Sequence, residues 1–102
     1  MKRTIDYLDA AKEKLDLPSD YAMSKVLGVT RAAVSRYRKG ICVLDDDVCF
    51  TVARILDINP LEIVVAAHVD RAKDKETQAR WISHWNDFSR RFVVARPTGD
   101  TA

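Results

Sequence analysis

The stretch "LGVTRAAVSRYRKG", residues 27–40, constrains the fold more than any other part of the chain. Gly28 and Gly40 stand where a helix can end in a positive-φ cap, a conformation glycine adopts without penalty. Between them Thr30 offers a side-chain cap for the start of a new helix. The segment therefore predicts one short helix running to Lys39, entered by a tight turn from another helix before it.

The rest of the chain has the same punctuation. A first helix is expected over Ile5–Leu15, with Thr4 as N-cap and Ile5, Leu8, Ala11 and Leu15 on one face. Pro18 ends it, because the residue before a proline is pushed out of the helical region. Ser19 caps a second helix with Met23, Val26 and Leu27 inward, and Asp20 suits its positive end. A run of acids, "LDDD", opens a fourth helix with Val48, Val52 and Ile55 at core spacing. "INPLE" opens a fifth, with Asn59 as cap, Pro60 at the first helical position and Glu62 three residues after the cap. A sixth is expected over Glu76–Arg91. No strand-like alternation of any length is present, so the fold class is all-α, and 102 residues suit one domain. The tail from residue 93 to 102, "VVARPTGDTA", lacks an apolar pattern and reads as disordered.

Composition narrows the function classes. The chain is 47% hydrophobic and 31% charged, as in an ordinary globular protein. No apolar run approaches the ~20 residues a membrane span needs, and no apolar segment follows Lys2 and Arg3 as in a secretory signal; a cytoplasmic location is expected. Cys42 and Cys49 do not have zinc-finger spacing and His68 and His84 do not complete one, so both cysteines are expected as small buried side chains and no metal or cofactor is expected. No phosphate-cradling glycine loop, nucleophile–base pair or defined carboxylate pair is evident, so no enzymatic activity and no small-molecule substrate are expected. The three aspartates at 45–47 are explained as a helix start.

Charge is distributed unevenly. Residues 1–40 carry nine basic and five acidic side chains, residues 41–70 one and six, and residues 71–102 seven and four. Between Tyr21 and Leu44 there are five basic residues and no acid. With Val34 and Tyr37 turned inward, the opposite stripe of the third helix holds Ala32, Ser35, Arg36 and Lys39, with Arg31 beside them. Small residues let a helix enter a major groove roughly 12 Å wide, and an arginine fork matches the guanine O6 and N7 acceptors. A carboxylate on this face would repel phosphate, which accounts for the missing acids.

The segment "SDYAMSKVLGVTRAAVSRYRKG" resembles the helix-turn-helix of the Cro/C1-type (XRE-like) DNA-binding family of phage repressors and small bacterial regulators. The likeness extends from Ser19 to Ile63, taking in "LDDDVCFTVARILDINPLEI" as the fourth and fifth helices of a five-helix lambda-repressor-like domain. It implies a DNA-binding domain over residues 1–70 with its motif at 19–40. It also implies base contacts from Arg31, Ala32, Ser35 and Arg36, and phosphate contacts from Ser19, Tyr21, Arg38 and Lys39. Arg38 and Lys39 equally complement the helix dipole, and Lys2 and Arg3 offer a small basic arm. Two departures stand out: Asp20 occupies a position where the family often has Gln, and the chain continues beyond Val69.

That continuation, residues 71–92, carries Trp81, Trp85, Phe88 and Phe92 at i, i+4, i+7 and i+11, with Ile82 beside them. The stripe either packs on the apolar side of the fifth helix, at Leu61, Val64 and Val65, or forms a subunit interface, where aromatic residues are enriched. A dimer is favoured, because one recognition helix reads too few base pairs and two-fold partners bind half-sites about one turn apart. The expectation is a phage- or prophage-type repressor acting as a homodimer on a palindromic double-stranded DNA operator. The alternative is an antitoxin-like interaction module whose aromatic stripe binds a different protein.

Overall fold

The computed structural model describes residues 1–91. Six helices follow one another with short links: α1 (Thr4–Lys14), α2 (Asp20–Leu27), α3 (Arg31–Lys39), α4 (Asp46–Leu56), α5 (Pro60–Arg71) and α6 (Lys75–Arg91). There is no strand among the described residues, and no helix there is long and apolar enough to cross a membrane. The tail expected to be disordered, and Phe92, lie outside the described residues.

Helix starts follow the local chemistry of the chain. Ser19 Oγ accepts from the Ala22 N–H, Thr30 Oγ1 from Ala33, Asp45 Oδ1 from Val48 and Asn59 Oδ1 from Leu61, satisfying donors that a helix start leaves open. Two starts differ from expectation. Arg3, not Thr4, is the N-cap of α1; Thr4 is buried inside the first turn, where its N–H and hydroxyl both donate to Asp70 of α5. Glu62 does not close a capping box, because its carboxylate accepts the Tyr7 hydroxyl at 2.5 Å.

The core joins five helices. Leu8 from α1, Met23 from α2, Val34 from α3, Cys49 and Val52 from α4 and Ile63 from α5 are fully buried, with Leu44 from the α3–α4 link. Helix α1 packs on α4 and α5, α2 on α3 and α4, and α5 carries α6 on its outer side. Three expected inward positions are corrected. Leu15 and Val26 are exposed, because α1 ends before Leu15 and α2 turns Ser24 inward beside the expected Met23 and Leu27. Cys42 is exposed in the link, whereas Cys49 is buried and its thiol is pushed up to about 11 by burial.

Candidate nucleic-acid interface

The geometry of α2 and α3 starts at Gly28, whose φ of 72° reverses the chain after α2. The Val29 N–H returns to the Ser24 carbonyl at 3.0 Å, so the helix end is closed by backbone bonds. Ser24, 2% exposed, fits between the helices and donates its hydroxyl to the Tyr21 carbonyl. Gly40, at φ 73°, closes α3 in the same way, with the Ile41 N–H donating to the Arg36 carbonyl.

Val34 and Tyr37 face the core, and burial pushes the Tyr37 phenol above its ordinary pKa. The opposite face of α3 is open: Arg31, Ala32, Ser35, Arg36 and Lys39 are all exposed. No ion pair engages Arg31, Arg36 or Lys39 among the described residues. A groove of about 370 Å³ lies between α3 and the start of α2, lined by Ser19, Asp20, Tyr21, Arg31, Ser35, Arg38 and Lys39, with Ala32 and Arg36 outside that lining. It therefore gathers most of the residues named from sequence. Lys25, one turn after Tyr21, joins their edge with its ammonium 4.7 Å from the Tyr21 ring centroid. The sequence signal for this contact is the i,i+4 spacing of Lys25 from Tyr21.

Asp20 is the one acid in the groove lining among the described residues, and it is neutralised where it stands. Arg38 donates to it through Nε (3.1 Å) and Nη2 (2.9 Å), and Lys12 Nζ adds a third bond at 3.1 Å. The Arg38 hydrogen bonds hold the Asp20 carboxyl below its ordinary pKa, against the opposing pull of partial burial. Nη1 of Arg38 reaches Asp9 on α1, and its pairing with Asp20 raises the guanidinium pKa further. All three guanidinium nitrogens are thus engaged inside the fold. Arg38 ties the end of α3 to α1 and to the start of α2.

The N-terminal residues lie against the body of the chain. Arg3 Nε pairs with Asp70 at 3.4 Å, and the Lys2 ammonium sits 5.8 Å from the Tyr7 ring centroid. At the other end, Asp74 caps α6 by accepting the Thr77 N–H, and Gln78 donates to the Val69 and Ala72 carbonyls at the end of α5. Trp81 stacks on His68 of α5, rings 4.3 Å apart and 9° from parallel. Ile82 and Trp85 border a pocket with Met1, Lys2, Tyr7 and Glu62, and Trp85 lies 6.0 Å from Phe88. The aromatic stripe thus meets the body of its own chain, yet Trp81, Ile82, Trp85 and Phe88 are only half-buried and no residue of α6 is buried.

Comparison with known proteins returned no matching family model, no matching curated protein and no matching solved structure.

Proposed function

We propose that this chain is a sequence-specific DNA-binding transcriptional regulator of Cro/C1 type with a lambda-repressor-like domain, acting in the bacterial cytoplasm. The observation that carries the proposal is the open face of α3: small Ala32 and Ser35 between Arg31, Arg36 and Lys39, which have no ion pair among the described residues, with the adjacent Asp20 neutralised by Arg38 and Lys12. Such a face meets no steric bar in a major groove and offers arginine forks to guanine. Ser19, Lys25 and Lys39 flank it at positions suited to phosphates, and the Tyr21 ring stands beside Arg31. Arg38 is left out of that set, because its donors are spent on Asp9 and Asp20.

The mechanism is steric: α3 lies in the groove of a palindromic operator, two copies read two half-sites, and occupation of a promoter excludes polymerase. Support for a homodimer comes from α6, which bears large apolar side chains and buries none of them fully within one chain. The same observation favours a second reading, an antitoxin-like module in which α6 binds a different protein; co-purification of a second chain species from native cells distinguishes it. The main proposal is tested with Arg36→Ala. The variant is expected to lose about 1–3 kcal/mol of operator binding and to relax preference at one base position. Equal weakening on every duplex would make Arg36 a phosphate contact and remove it from base readout.

A further inference from the structure

Tyr21 is half exposed (50%) and lines the groove beside Arg31, Ser35 and Lys39. Its backbone is well fixed. It lies in the first turn of α2, after the Ser19 cap, and its carbonyl accepts the Ser24 hydroxyl at 2.6 Å. The turn at Gly28 then brings the first residue of α3 alongside, so that the Arg31 guanidinium carbon lies 5.8 Å from the Tyr21 ring centroid, while Lys25 approaches the same ring at 4.7 Å. A cation within about 6 Å of an aromatic centroid is attracted by the ring quadrupole. Arg31 has no carboxylate to restrain it among the described residues, so this ring is what its side chain leans on.

We infer that Tyr21 is a positioning residue: its ring braces Arg31 in the orientation from which the guanidinium reads a base edge. The inference rests on the proposed function above, in which Arg31 is a base reader. It gives the tyrosine a role that differs from a phosphate contact through its hydroxyl. An arginine must surrender its rotamer freedom when it engages a base, and a side chain ordered beforehand surrenders less. The brace thus raises affinity for the correct base pair above that for the wrong one, whereas a phosphate contact raises both equally. Lys25, its ammonium 4.7 Å from the same ring centroid, adds positive charge at that edge.

The test compares Tyr21→Phe, Tyr21→Ala, Arg31→Ala and the Tyr21→Ala/Arg31→Ala double variant on a selected operator, on operators changed at single base pairs, and on scrambled duplex. Tyr21→Phe keeps the ring and is expected within a factor of about two of the wild type. Tyr21→Ala is expected to bind the operator about three- to fivefold more weakly, with the loss confined to the base pair at which Arg31→Ala also loses discrimination. In the Arg31→Ala background it should cost nothing more at that base pair. A second measurement needs no DNA: the Arg31 δ-protons should show an upfield ring-current shift in the wild type and Tyr21→Phe that vanishes in Tyr21→Ala.

If Tyr21→Phe loses as much as Tyr21→Ala, the hydroxyl is what acts and the brace is overturned. Equal weakening of operator and scrambled duplex by Tyr21→Ala overturns it too. If Arg31→Ala keeps full discrimination, the base-reading role of Arg31 fails first, and the role of Tyr21 falls with it.

Discussion

Gly28 shows what a single residue contributes here. Its φ of 72° would be strained for any side chain with a Cβ, but a Cβ built there meets nothing within 4 Å. The cost of Gly28→Ala is therefore purely conformational, about 1 kcal/mol, and should appear as a lower urea midpoint with an unchanged slope. Gly28→Asn should recover part of it, since Asn tolerates the left-handed region; an alanine variant as stable as wild type would contradict the assignment. Gly28, Ser19, Thr30 and Asn59 were legible in the sequence because a cap acts on backbone only two to five residues away. Thr4 and Glu62 were misread for the opposite reason. Their partners, Asp70 and Tyr7, lie 66 and 55 residues away and leave no local trace.

Helix α3 was legible as an element from its bracketing glycines and its acid-free face, but the way it is held was not. Arg38 looked like one more outward base at a helix end. The fold instead clamps it between Asp9 and Asp20, which also explains how an acid is tolerated at the front of α2. Arg38→Met should cost on the order of 1 kcal/mol of stability at neutral pH, since the partners are partly exposed. The pH dependence has a definite sign. Asp20 titrates lower in the folded chain than in the unfolded one, so its contribution is present above the unfolded value of about 3.9 and fades as pH falls through the folded value. Asp20→Asn should flatten the acid side of the melting-temperature profile below about pH 4; an unchanged profile would show that the clamp adds nothing. In α6, sequence periodicity found the stripe but could not say what it faces, because an intramolecular and an intermolecular apolar face share one pattern. The His68–Trp81 stack settles part of this: the N-terminal half of α6 packs on α5.

For the whole molecule, the half-buried remainder of α6 and the open face of α3 belong to one proposal, a two-fold assembly on a two-fold site. Phe88→Arg places a charge on the outer half of the α6 stripe. It is expected to convert a species of twice the chain mass to the monomer in sedimentation equilibrium, with helical circular dichroism retained; a wild type that is monomeric at all concentrations would remove α6 as the dimer element. The central claim is reached most directly by selecting from a random duplex pool and then measuring binding of the selected sequence by fluorescence anisotropy across a salt series. An enriched inverted repeat is expected, bound far more tightly than scrambled duplex at every salt concentration. Uniformly weak binding that disappears as salt rises, with no enriched sequence, would contradict it and leave the basic face of α3 a purely electrostatic feature.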